Sequence, residues 1–294
     1  HTQYKIRTIS HLLTIYRLIR SYFSTDFIYC SIPRRKFLLF FYMIVFEILK
    51  LFKPRDKIVY VAYHIHGLEL VQAARGFLFS SFIKLYNRTF DVTLISNINL
   101  LGGTLLSQNT KFILIHNAVP METFESNPIN LEKSCAGYLF ISFPSYNKRL
   151  DKVVSLFTSK PEERLVVVGW NEKEFRKIYN IKKTLPQNIV FKGSASRSSV
   201  FDLLRNAKGL VADSDSEAMP LTVCEALLLG IPCFLGKAIG YSFFHDNFQS
   251  VLRTEQLFVE NVSENEISAS QQKAASLFSV GTYAVKLANV FNNA

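Results

Sequence analysis

Apolar positions recur along this chain at two periods. Residues 4–23 place Ile6, Ile9, Leu12, Leu13, Tyr16 and Ile19 at helical spacing, with Arg7, Arg17 and Arg20 between them. Short apolar runs then follow at 27–32, 58–63, 91–96 and 111–116, and each reads as a strand. Helices are expected between them, over 34–52, from the loop His64-Ile65-His66-Gly67 to about residue 86, and over 104–108. Residues 121–136 lose the periodicity: Glu122, Glu125, Asn127-Pro128, Asn130 and Glu132 mark a linker. A second series begins after it, with strands at 138–142, 164–168, 188–191 and 209–212 and helices at 148–157, 172–179 and 198–206. The tail from residue 265 again reads as helix. Strands alternating with helices indicate parallel sheets covered on both faces. The expected organisation is an α/β domain over 1–120, a linker over 121–136, a second α/β domain over 137–275 and a closing helix over 276–294. Ligands gather at the C-terminal ends of such strands, where His64, Ser96 and Asn117 stand.

Composition narrows the function classes. The chain has 294 residues, 49% hydrophobic and 19% charged, which excludes a disordered polymer. It begins with His rather than Met, so it reads as a processed, tagged or truncated chain. The net charge of +11 is uneven. Residues 1–120 hold 15 Lys and Arg against 5 Asp and Glu, whereas the remainder is close to neutral. A basic half suggests an anionic partner: membrane lipid, nucleic acid or a phosphorylated acceptor. Nucleic acid ranks last, because no aromatic-basic motif of the RNA-binding modules occurs. The run 37–52 is interrupted by Glu47 and Lys50 and is too short to span a bilayer. It reads as a crossover helix or as one lying on a membrane surface. Cys30, Cys135, Cys224 and Cys233 have no metal-ligand spacing and read as reduced thiols.

The most informative stretch is 214–232, SDSEAMPLTVCEALLLGIP. A buried strand over 209–212 leads into an acidic loop, then Pro220 at a helix start, then an apolar helix stopped by Gly230-Ile231-Pro232. The amides of Pro220, Leu221, Thr222 and Val223, with the positive end of the helix, are expected to form an anion site. Glu217 precedes that point and Glu225 lies just inside the helix. Carboxylates accept from hydroxyls, so an anion flanked by two of them fits a phosphate ester carrying sugars on both sides. A nucleotide-sugar meets that description, with its diphosphate at Met219, Pro220, Leu221 and Thr222, its ribose at Glu225 and its donor sugar at Glu217. Asp213 and Asp215 invite a metal reading, but Lys148 and the helix start already neutralise a diphosphate, so no metal and no cofactor are expected.

This stretch resembles the C-terminal half of the retaining glycosyltransferases of the GT-B fold, family 4. The likeness extends through most of the chain in order. VYVAYHIHG at 59–67 is similar to the family strand that ends in a histidine, and FILIHNAVPMETF at 112–124 resembles its pre-linker segment. Asn147-Lys148-Arg149-Leu150-Asp151 resembles the family's Glu-Lys-Gly-Leu-Asp. Two departures stand out. Ser142-Phe143 replaces a Gly-Arg whose arginine contacts the diphosphate in the family, with Lys148 and Arg149 left to supply charge. The family's first strand and Gly-rich acceptor loop have no counterpart before Thr25.

The resemblance implies two Rossmann-like parallel-sheet domains facing a cleft, the first of them shortened. It implies a transferase that moves a sugar from a nucleoside-diphosphate donor to a glycan or lipid-linked acceptor, as in bacterial surface polysaccharide synthesis. His64, Lys148 and Glu217 take the catalytic positions. Arg149, Met219, Pro220, Leu221, Thr222 and Glu225 take the substrate-binding ones. Glu217 stands beside the anomeric carbon, and retention proceeds without a clear covalent intermediate, the leaving phosphate taking the acceptor proton. A cytoplasmic place at the inner membrane face follows from the basic half. The rivals are a nucleotide-sugar epimerase or hydrolase on the same fold and a non-catalytic glycosyltransferase-like subunit.

Overall fold

The computed structural model describes residues 27–30, 36–52, 60–65, 85–86, 88–89, 92–96, 112–120 and 137–292. Packing divides the chain into two compact units, one running to Ile115 and including residues from Leu287 on, the other His116–Lys286. The helices expected over 4–23 and 104–108 and the linker over 121–136 lie outside the described residues.

In the first unit β1 (Phe27–Cys30), β2 (Tyr60–Ile65), β3 (Val92–Ile95) and β4 (Phe112–Leu114) form a parallel sheet in the order β1-β2-β3-β4. Helix α1 (Lys36–Leu51) buries Met43, Phe46 and Leu49. Its Glu47 holds Lys50 at 3.1 Å and Arg88 at 2.6 Å. The opposite face carries Ile44, Ile48 and Leu51, with Phe52 just beyond the helix, and the last two are 77% and 70% exposed.

The second unit holds β5 (Tyr138–Ile141), α2 (Leu150–Thr158), β6 (Leu165–Val168), α3 (Glu172–Tyr179), β7 (Ile189–Gly193) and α4 (Arg197–Arg205). It continues with β8 (Gly209–Ala212), α5 (Leu221–Leu228), β9 (Cys233–Leu235), α6 (Ile239–Asn247), β10 (Val251–Arg253) and α7 (Glu264–Phe278), and the last helix, α8 (Val280–Asn292), starts in this unit while its residues from Leu287 on count with the first. The sheet order is β10-β9-β8-β5-β6-β7, and every pairing is parallel. Counted from β5, this is the doubly wound order 3-2-1-4-5-6. The β5 and β6 positions Leu139, Val166 and Val168 face one core with α5 and α7, while Phe140, Leu165 and Val167 face the other with α2. Burial on both faces explains why these strands read as unbroken apolar runs.

Helices stop and start where side-chain chemistry dictates. Asn171 caps α3 in a reciprocal box with Glu174, and Ser263 caps α7 in the same way with Glu266. The three-residue strands β9 and β10 and the helix α6 between them were not expected from the sequence. Both strands are shorter than a periodic signal needs. Residues 116–119 pack within the second unit: the Val119 amide donates to the Phe278 carbonyl at 2.9 Å, and the His116 ring lies 4.7 Å from that of Phe243, tilted by 42°.

Candidate active site

In a sheet of this order, the connections after β5 and β8 leave in opposite directions and open a crevice at the strands' C-terminal ends. Residues 142–149 follow β5 and residues 213–220 follow β8, so the two segments singled out from sequence stand side by side. They are laced together. The Asp215 amide donates to the Asn147 carbonyl at 2.8 Å. Lys148 Nζ lies 2.5 Å from Glu217 Oε1, with both side chains largely buried. Arg149 reaches Asp215 at 3.2 Å, and Lys152 lies 3.7 Å from Asp215 and 3.8 Å from Asp213.

Several expectations need correcting in detail. Lys148 belongs to a 3-10 turn, Tyr146–Lys148, and α2 begins only at Leu150. Between them Arg149 adopts φ 48° and ψ 40°, the left-handed region that a glycine enters freely and a side chain resists. The family segment quoted above carries Gly at this place. Arg149 is held there by Asp151 at 3.1 Å and by Asp215, and Asp151 is the main reason its guanidinium binds its proton more tightly still. It is therefore a strut between loops rather than a free clamp. Phe143, which replaces the family arginine, is 56% exposed, and Lys148 Nζ sits 5.1 Å from its ring centre. Ser142 Oγ accepts from the buried Trp170 indole at 2.9 Å.

The set of free amides at the start of α5 is smaller than the sequence suggested. Pro220 has no N–H and is the N-cap of α5 rather than its first turn. The Val223 amide donates to the Pro220 carbonyl at 3.2 Å. Leu221 and Thr222 remain, and their amides donate to no group among the described residues. Leu221 is 47% exposed and Thr222 is half-buried. Met219 is buried in the core at 4% exposure, and its carbonyl accepts from Asn117 Nδ2 at 2.8 Å. That bond ties the loop after β8 to residue 117.

Glu225 is buried, and burial pushes its carboxyl above the usual carboxylate range while Arg197 pulls it back. Burial raises Asp213 in the same way. Beneath the loop, Gly240 of α6 lies so close to the Glu217 carbonyl that a Cβ there would overlap it, and the buried Tyr241 beside it faces Ser214. Sequence reading missed Arg197, Asn117 as a loop anchor, and Gly240. Only the arginine carried a signal, by following Ser194-Ala195-Ser196 at a helix start.

His64 differs from expectation too. It lies within β2, opposite Leu94, rather than in the loop beyond it, because the strand continues to Ile65. Its side chain and all of His66 are outside the described residues. Among the described residues no cluster of metal-binding side chains occurs.

The glycosyl transferases group 1 family model matches residues 123–273, half of the chain. The chain belongs to that family. No curated protein matches it. Among solved structures it is similar to Anabaena HepE in complex with UDP-glucose, at 16% identity and a TM-score of 0.72, over 95% of this chain and 82% of that one. It is also similar to sucrose-phosphate synthase from Thermosynechococcus elongatus, at 12% identity and a TM-score of 0.70, over 95% and 76%. S. aureus TarM, crystallised with UDP among other ligands, aligns at 19% identity and a TM-score of 0.58, over 84% of this chain and 53% of that one. At these identities the likeness shows the fold: parallel-sheet α/β units of the GT-B kind.

Proposed function

We propose that this member of the group 1 glycosyltransferases is a retaining enzyme that moves a sugar, of hexose type, from a nucleoside-diphosphate donor to a glycan or lipid-linked acceptor. The observation that carries the reading is the pair of amides, Leu221 and Thr222, that donate to no group among the described residues, at the start of α5 in the switch-point crevice. The Lys148–Glu217 pair stands on the same two loops. The diphosphate would take the two amides and the Lys148 ammonium, the ribose would take Glu225, and the donor sugar would take Glu217. Lys148 would then stabilise the charge that gathers on the leaving diphosphate. Residues 137–275 would form the donor domain and residues 1–120 the acceptor domain, with His64 as its catalytic contact. No metal takes part in this scheme. Two relatives in fold, HepE and TarM, were crystallised with UDP-containing ligands, which favours a uridine nucleotide as the first donor to try.

The acceptor side is proposed to rest on acidic lipid at the inner face of a bacterial membrane, in surface polysaccharide synthesis. Two observations support this: the basic excess of residues 1–120 and the exposed apolar row Ile44, Ile48 and Leu51 on α1, with Phe52 just beyond it. No helix among the described residues is long and apolar enough to cross a membrane.

The deciding experiment is thermal stabilisation by a panel of nucleotide-sugars, since a ligand that binds only the native state raises Tm. One nucleotide-sugar should raise Tm, and Glu225→Ala should abolish that rise while remaining folded. A panel without any shift removes the proposal. Turnover of donor without acceptor would indicate the epimerase or hydrolase reading instead. Sedimentation with vesicles containing acidic lipid, compared with neutral ones, tests the membrane surface separately.

A further inference from the structure

One cation near the crevice has no part in the scheme so far. Arg197 opens α4, and its Nη2 lies 3.1 Å from Glu225 Oε1. Its guanidinium also sits 5.3 Å from the ring centre of Phe201, one turn along the same helix. A side chain that is 55% exposed is thus held at two points. Glu225 is 7% exposed, and Arg197 is the one hydrogen-bond partner of its carboxylate among the described residues. A carboxylate buried to that degree needs a counter-charge to stay ionised, and an unpaired one takes up a proton instead.

We propose that Arg197 is a positioning residue for nucleotide binding: it keeps Glu225 ionised and occupies one of its oxygens, leaving the other to accept from the ribose diol of a nucleoside diphosphate. This deepens the donor-site reading above and rests on it. The arginine is suited to the task because it is always charged and its fork is planar, so it fixes the plane of the carboxylate as well as its charge. Among the described residues Arg197 is the one charged group acting on Glu225. Cys224, beside it on α5, and Cys233 on β9 are both pushed far up by burial and stay neutral. Helix α7, packed on α5, sends Gln271 to the Leu228 carbonyl and no charge to Glu225.

Titration calorimetry of the full chain tests this, with uridine and guanosine diphosphates and their 2′,3′-dideoxy counterparts, between about pH 5 and 8. Arg197→Ala should weaken binding of the ribonucleotide roughly tenfold near neutral pH. It should also move the acid limb of binding to higher pH, because the carboxyl left without its partner protonates sooner. Binding of the dideoxy nucleotide should not change. Arg197→Lys should retain the wild-type acid limb, which separates loss of charge from loss of fold. Equal weakening of both nucleotide types, or an acid limb that stays in place in Arg197→Ala, overturns this inference and leaves the donor site standing. A wild-type chain that binds neither diphosphate overturns both.

Discussion

Lys148 and Glu217 are 69 residues apart in sequence and 2.5 Å apart in space. The pair bridges the loop after β5 and the loop after β8. There each group neutralises the other. A bound donor would separate their tasks, the ammonium turning to phosphate and the carboxylate to sugar hydroxyls.

That division predicts different kinetics for the two residues. Lys148→Gln should lower kcat with a nucleotide-sugar donor by about 100-fold or more, since the charge it meets develops in the transition state. Glu217→Gln should also lose turnover but should retain binding of the bare nucleoside diphosphate. Steady-state kinetics beside calorimetry checks both. Loss of diphosphate binding in Glu217→Gln would place that carboxylate at the phosphate instead.

Arg149 sits at a left-handed position that costs a side chain about 1 kcal/mol relative to glycine. Its ion pairs are partly exposed, so together they return no more than about 1 kcal/mol. Arg149→Gly should therefore leave stability nearly unchanged. Arg149→Ala, which keeps the strain and loses the pairs, should be the less stable of the two by about 1 kcal/mol. Denaturant midpoints compared between the two variants decide it.

Asp213 is a half-buried carboxylate whose proton affinity is raised above its ordinary value of 3.8, desolvation outweighing Lys152. A carboxyl raised in the folded state contributes stability below its unfolded value and loses it as pH climbs through the folded one. Asp213→Asn should then be more stable than wild type at neutral pH, and the difference should vanish below pH 3.8. Thermal melts at the two ends of that range provide the measurement.

Gly240 lies against the Glu217 carbonyl with no room for a Cβ. Gly240→Ala should cost about 1–3 kcal/mol through overpacking. Because the clash falls on the residue proposed to meet the donor sugar, turnover should fall further than stability accounts for. A variant as active as wild type after correction for the folded fraction would show that the loop tolerates the shift.

The legible parts of this chain are the local ones. The apolar run of β8, Pro220 before α5 and Gly230 after it are each encoded within a few residues, so residues 209–232 read correctly as strand, loop and helix. Even there the amide inventory needed the structure, since Val223 donates to Pro220 while Leu221 and Thr222 do not donate within the described protein. Strand β2 ran past its expected end because His64 and Ile65 stay in register with Leu94 and Ile95 on the neighbouring strand, a pairing no periodicity records.

Residue order alone determined the α/β alternation, the helix stops and the acidic loop with its two glutamates. The contacts that give those glutamates their chemistry arose only on folding: Lys148 against Glu217, Arg197 against Glu225, and Asn117 against Met219, 102 residues away. Each depends on β5 lying beside β8 in the sheet, or on a helix packed against its neighbour. Periodicity reports which face of an element is buried. It carries no information about which other element does the burying, and that choice is made by the packing of the whole unit.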